Sequence, residues 1–273
     1  MTVYAIQNRW GGDGAPWHEG GIFNIGNRPD QKPIALKIES GDGGTSFSGT
    51  MTYQGEDPIS VRATLVTTNC YRVENHWGGE GAPWHEAGLF LLGSRNGQNA
   101  VYFDLKSDDG GDTLNGTMRY QREGDISVKG AVQIGAITYN ALNHWSGAGH
   151  PWHPGGQWVA GNRGPTAPVT ALNVKSDDQG RTLAGTMSYL GDGPLQFRGT
   201  LIAANTYSVV NRTYEGESWL PGGTWVLGCR TNQNAVLIEA AFEAGIEGKM
   251  KYEGEGPIGL KLEPSVQIAL ADA

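Results

Sequence analysis

A segment of about 67 residues occurs four times along this 273-residue chain, and that repetition limits the fold more than any other feature. The copies are marked by NRWGGDGAPW at 8–17, NHWGGEGAPW at 75–84, NHWSGAGHPW at 143–152 and a shorter NRTYEGESW at 211–219. Their second tryptophans are Trp17, Trp84, Trp152 and Trp219, a period of 67 or 68 residues. Other signals recur in step. A Gly-x-Arg ends at Arg28, Arg95, Arg163 and Arg230, and a turn-rich SGDGG, SDDGG or SDDQG begins at Ser40, Ser107 and Ser176. GTM or GKM follows at 49–51, 116–118, 185–187 and 248–250, then a tyrosine (Tyr53, Tyr120, Tyr189, Tyr252) and an acidic turn at 55–59, 122–126, 191–195 and 254–258. The repeats run over roughly 1–67, 68–135, 136–203 and 204–273. The last is eroded: it lacks Trp-Gly-Gly, and AAFEAG (240–245) replaces its SDDGG-type turn.

Within a repeat the apolar pattern has period two, as in Ile34–Glu39, Val101–Lys106 and Ile59–Leu65. With turn clusters every 8–12 residues, that pattern predicts antiparallel strands and no helix. About five strands per repeat are expected, near Val3–Gln7, Ile22–Gly26, Ile34–Ser40, Ser46–Tyr53 and Ile59–Leu65 in the first. Forty-three glycines, about twice the ordinary share, fit many tight turns. A closed barrel or a four-bladed propeller would protect such strand edges, and composition does not choose between them.

The formal net charge of −8 disfavours nucleic acid as a partner. No apolar run approaches the ~20 residues of a membrane helix, so membrane insertion is not expected. The first ten residues lack a basic-then-apolar signal pattern; a cytoplasmic protein, or one released without a classical signal peptide, is expected.

Cys70 and Cys229 are too few for a disulfide framework and read as free thiols. The SDDGG segments suit hairpin turns better than a calcium cage. His18, His76, His85, His144, His150 and His153 show no repeated ligand spacing and read as solvated loop residues, so no metal or cofactor is expected. Trp17, Trp84, Trp152 and Trp219 persist in every repeat and read as core or barrel-end plugs. Trp10, Trp77 and Trp145 disappear in the repeat that also loses Gly-Gly, and read as ligand contacts. The Gly-x-Arg arginines and the acidic turns could equally be internal ion pairs and hairpin chemistry.

Taken together, N-x-W-G-G-x-x-A-P-W, G-x-R, S-D-D-G-G, G-T-M and Y-x-G-E-G-P-I-G resemble the Oscillatoria agardhii agglutinin homologue family of microbial lectins. The resemblance covers the whole chain, strongly in two repeats, well in the third and weakly in the fourth. It implies an all-β fold of two tandem ten-stranded antiparallel β-barrels, here 1–135 and 136–273, in a monomer. It implies metal-free, non-enzymatic binding of the branched α1,3/α1,6-mannose core of high-mannose N-glycans, with agglutinating and antiviral activity in vitro. Each site then combines one repeat's W-G-G with its partner repeat's Arg and Glu. Site one is Trp10, Gly11 and Gly12 with Arg95 and Glu123; site two is Trp77, Gly78 and Gly79 with Arg28 and Glu56. Site three is Trp145, Ser146 and Gly147 with Arg230 and Glu255, and site four, lacking Trp-Gly-Gly, would set Tyr214 against Arg163 and Asp192.

Those residue types suit a sugar. An indole can lie on the C–H face of a pyranose. Paired glycines let backbone N–H groups approach hydroxyls, and an arginine fork with a carboxylate supplies charge-assisted hydrogen bonds. Two other classes stand beside this reading: a non-catalytic β-repeat scaffold for protein interaction, and a mannan-active glycoside hydrolase, which would need two carboxylates flanking one bond.

Overall fold

A computed structural model of the chain describes residues 2–28, 30–79, 81–95, 97–145, 150–230 and 232–265. Among the described residues there are twenty strands and no helix. The first ten are β1 (Thr2–Arg9), β2 (His18–Ile25), β3 (Pro33–Glu39), β4 (Ser46–Tyr53), β5 (Ile59–Thr67), β6 (Cys70–His76), β7 (His85–Leu91), β8 (Ala100–Lys106), β9 (Thr113–Tyr120) and β10 (Ile126–Val132). The second ten are β11 (Ile137–His144), β12 (His153–Ala160), β13 (Val169–Lys175), β14 (Thr182–Tyr189), β15 (Leu195–Ala203), β16 (Thr206–Arg212), β17 (Leu220–Val226), β18 (Ala235–Ala241), β19 (Glu247–Tyr252) and β20 (Ile258–Pro264). Each repeat supplies five.

The strands close into two barrels, not propeller blades, one in each of the compact units Met1–Gln133 and Ile134–Ala273. In the first the order is β1-β10-β9-β8-β3-β4-β5-β6-β7-β2. The two repeats of a barrel are thereby interleaved: the first strand of each pairs with the last strand of the other. β1 lies against β10 with Arg9 opposite Ser127, and β6 lies against β5 with His76 opposite Ser60. The second barrel repeats this with β11 on β20 (His144 opposite Gly259) and β16 on β15 (Arg212 opposite Gln196).

Alternation along the strands fills the interior. In β3, Leu36 and Ile38 are buried while Lys37 and Glu39 face out. At mid-barrel the second strand of each repeat contributes a buried aromatic: Phe23, Phe90, Trp158 and Trp225. The glycine of each GTM or GKM is fixed by close approach. A Cβ on Gly49 would collide with the Lys37 carbonyl oxygen, and Gly116, Gly185 and Gly248 meet the equivalent carbonyls.

The SDDGG turns spend their side chains on themselves. The Asp42 carboxylate accepts from the Thr45 and Ser46 amides at 3.1 and 2.9 Å and from the Ser46 hydroxyl at 2.7 Å. These bonds, the Ser46 side chain's first, bring its pKa down to about 2. Each turn also receives a buried tyrosine from the first strand of the partner repeat. Tyr4 donates to the Gly111 carbonyl at 2.9 Å, Tyr71 to Gly44 at 3.0 Å and Tyr207 to Gly180 at 3.1 Å.

The fourth repeat has no such turn, and its absence leaves a trace in the third. Phe242 is buried there against Tyr139, centroids 4.9 Å apart, and the buried Tyr139 hydroxyl has no hydrogen-bond partner among the described residues. Removing a satisfied buried hydroxyl costs about 1 kcal/mol, whereas removing an unsatisfied one is neutral or favourable. Tyr207→Phe is therefore expected to lower the melting temperature of the second barrel, and Tyr139→Phe to leave it unchanged or raise it. Equal losses in thermal denaturation of the two variants would contradict this account.

Candidate functional site

The acidic turn after the fourth strand of each repeat is built on the recurring tyrosine. The Glu56 amide donates to the Tyr53 carbonyl at 3.1 Å; Glu123, Asp192 and Glu255 do the same to Tyr120, Tyr189 and Tyr252. The Tyr53 hydroxyl donates to Asn27 Oδ1 at 2.9 Å and accepts from the Asn27 amide at 3.1 Å, which pins the loop carrying the next residue, Arg28. The Arg28 guanidinium lies over the Tyr53 ring, 4.3 Å from its centroid, and its Nη1 donates to Glu56 and, at 2.6 Å, to Gln31.

The same unit recurs. Arg95 lies 4.3 Å over Tyr120 and bonds Gln98 and Glu123; Arg230 lies 4.7 Å over Tyr252 and bonds Gln233 and Glu255. In the third repeat Arg163 lies 4.1 Å over Tyr189 and bonds Asp192, with Thr166 where the others have glutamine. The hydrogen bond from Arg28 holds the Glu56 carboxyl below the usual range; that from Gln98, then Arg95, does so for Glu123. The arginines are thus internal partners of the acidic turns, as one reading of the sequence allowed. These exposed pairs contribute little to stability, but they are set in place in advance.

Strand exchange brings the loop after the first strand of the other repeat, Trp-Gly-Gly in the first barrel, toward each clamp. Trp77 leaves β6 beside the start of β5, and an open cleft is lined by Arg28, Glu56, Trp77, Gly78 and residues up to Ser60. In the second barrel the Arg230 guanidinium lies 5.7 Å from the Trp145 ring. The register of β1 on β10 sets the Trp10 loop beside the turn that carries Glu123. Trp10, Trp77 and Trp145 are 50%, 48% and 50% exposed, unlike core residues. Gly11, Gly12 and Gly78 have φ of +106°, +80° and +101°, which only glycine adopts readily. Gly79 has neither a positive φ nor any atom within 4 Å of an added Cβ, so nothing inside the protein requires glycine there. Ser146 and Gly147 lie outside the described residues.

The fourth loop is different. Tyr214 is 69% exposed, and the loop closes on itself: the Tyr214 amide donates to the Glu217 carboxylate at 3.1 Å, and the Glu217 amide to the Tyr214 carbonyl at 3.3 Å.

Two expectations need correction. Trp17, Trp84, Trp152 and Trp219 are half-buried, each directly before the second strand of its repeat, and none belongs to a barrel core. Cationic side chains cover them: Arg9 and Lys129 over Trp17, Arg62 over Trp84, Lys261 over Trp152, and Arg198 and Arg212 over Trp219, all within 5 Å. The histidines, His150 apart, are not loop residues either. His18, His85 and His153 begin strands and face Trp10, Trp77 and Trp145; His76 and His144 end strands and face Trp84 and Trp152. Among the described residues no group of three His, Cys, Asp or Glu side chains is set to hold a metal, and Cys70 and Cys229 are not joined in a disulfide. Gln31, Gln98 and Gln233 escaped notice as site residues, although a glutamine three positions after the arginine recurs in three repeats.

A model of the OAA-family lectin sugar binding domain matches residues 2–66, 69–133, 137–202 and 205–265, nearly the whole chain. The chain belongs to the OAA family of lectins. Its fourth OAA-type repeat is matched too, despite its altered loop. The myxobacterial hemagglutinin of Myxococcus xanthus is 48% identical over 266 residues, covering 96% of this chain and 98% of that one. Lectin OAA of Planktothrix agardhii is 55% identical over 131 residues, 48% of this chain and 99% of its own. The crystal structure of the M. xanthus hemagglutinin in complex with α3,α6-mannopentaose superposes with a TM-score of 0.90 at 47% identity, covering 96% and 99% of the two chains. This OAA-family chain is a carbohydrate-binding lectin of two barrels, each built from two interleaved repeats.

Proposed function

We propose that this chain is a multivalent, non-enzymatic lectin for the branched mannose core of high-mannose N-glycans. Its sites are the composite clefts at the strand-exchange seams. The observation that carries this is the cleft at Trp77. A half-exposed indole and Gly78 from one repeat face a pre-assembled Arg28–Glu56 clamp from the other. Flat apolar surface, approachable backbone donors and fixed charged groups match a pyranose with its hydroxyl rim. The mannopentaose held by the M. xanthus hemagglutinin supports the same ligand class here. A Glu56 carboxyl held low by Arg28 is a poor proton donor at neutral pH, which favours binding over hydrolysis.

A glycan array is the test. High-mannose N-glycans with intact α1,3/α1,6 branching should be retained, with EDTA present or absent, and mannooligosaccharides incubated with the protein should be recovered uncleaved. Retention of no mannose glycan would refute the proposal.

A further inference from the structure

We infer that His18, His85 and His153 are positioning residues of the sugar sites, each holding the site's tryptophan by ring contact in the orientation a glycan meets. The inference rests on reading those loops as sugar sites. His18 stacks on Trp10 with centroids 4.8 Å apart and planes 18° apart, and His85 on Trp77 at 4.3 Å and 18°. His153 faces Trp145 at 5.2 Å and a wider 48°.

The imidazole sits on a firm base. It belongs to the first residue of a strand, paired with a buried asparagine of the preceding strand: His18 opposite Asn8, His85 opposite Asn75, His153 opposite Asn143. The indole sits on a glycine-rich loop and has no such anchor of its own. Trp77 lines the cleft with Arg28 and Glu56, whereas His85 does not, so the imidazole backs the indole from outside the cleft. One aromatic face is covered, and about half the tryptophan is left exposed.

The repeats themselves supply an independent observation. The three that have the indole have the histidine eight residues later; the fourth, with Thr213-Tyr214 in the loop, has Leu220 at that position. Leu220 is 61% exposed, so no burial accounts for a leucine there. Trp219, directly before it, persists, so the loss is confined to the residue that would face the site loop. An exposed imidazole that served only the barrel would have no reason to vanish with the indole.

The test uses the full-length chain and follows the indole N–H resonances of Trp10, Trp77 and Trp145 during titration with α3,α6-mannopentaose. His85→Leu, which copies the fourth repeat, should move the free Trp77 resonance. It should also raise its half-saturation concentration about 3- to 10-fold, the range of one aromatic pair. Trp10 should titrate as before and so report an intact barrel. His85→Phe, which keeps a ring for stacking, should return Trp77 to within about twofold of the original affinity. Unchanged titration of Trp77 in His85→Leu would overturn the inference. So would a His85→Phe variant as weak as His85→Leu, because the imidazole would then act on the sugar and not on the indole. If no indole resonance of the unmodified protein responds to the sugar, the sugar-site reading itself fails.

Discussion

Calorimetric titration of the full-length chain with α3,α6-mannopentaose is expected to saturate at three sugars per chain, not four. The fourth composite site would join the fourth repeat's loop to the third repeat's clamp, and both halves are altered. The loop offers Thr213, Tyr214 and Glu215 in place of Trp-Gly-Gly and closes on its own Glu217. The clamp has Asp192 where the others have glutamate, and Thr166 where they have glutamine. Lost stacking, blocked backbone donors and a misplaced carboxylate, at ~1–2 kcal/mol each, remove several kcal/mol together. The complementary site, pairing the third repeat's Trp145 loop with the fourth repeat's Arg230, Gln233 and Glu255, keeps its clamp intact. It should bind, more weakly than the first-barrel sites because Ser146 replaces a glycine. The damage thus follows the composite site and not the repeat. Replacing residues 211–220 with NHWGGEGAPWH and restoring Thr166→Gln and Asp192→Glu should raise the stoichiometry to four. Four equivalent sites in the unmodified chain would defeat this account.

Arg95→Ala should weaken the site at Trp10 by 10- to 100-fold, the range of ~1.5–3 kcal/mol for hydrogen bonds to charged groups. Arg95 lies in the same repeat as Trp77, but the barrel gives its clamp to the other loop. The variant also strips Glu123 of the guanidinium that helps hold it ionised. Arg28→Ala should do the converse, abolishing tight binding at Trp77 and sparing Trp10. The indole N–H signals of Trp10 and Trp77 report the two sites separately. Loss of the Trp77 response in Arg95→Ala would show that clamps serve their own repeat.

The strands were legible because each repeat alternates cleanly: Leu36 and Ile38 point in and Lys37 and Glu39 point out, as period two requires. Closure into barrels was not legible in that pattern, since a propeller blade alternates in the same way; it came from family resemblance. The arginine clamp was half legible. Arg28 and Glu56 stood out as recurring charges, whereas Gln31, which recurs as Gln98 and Gln233, carries no charge to mark it as a partner of the arginine. Tyr53 was visible as a repeated residue without a role, because a ring beneath a guanidinium is fixed by folding and not by spacing. Trp17 misled for the opposite reason. Its persistence in all four repeats suggested a core residue, whereas it is half-buried just ahead of β2, beneath Arg9 and Lys129.

Interleaving also separates in time two sites that are chemically alike. The seam at Trp77 joins β5 to β6, neighbours in sequence whose paired residues Ser60 and His76 lie 16 residues apart, so it can zip up as a hairpin. The seam at Trp10 joins β1 to β10, whose partners Arg9 and Ser127 are separated by about 120 residues, and it cannot form until the second repeat has been made. During synthesis or refolding, the loop-and-clamp contact at Trp77 therefore precedes the one at Trp10, and stopped-flow with a single reporter tryptophan at either seam would time the two. The nascent chain thus holds every residue of one seam before those of the other have all been made.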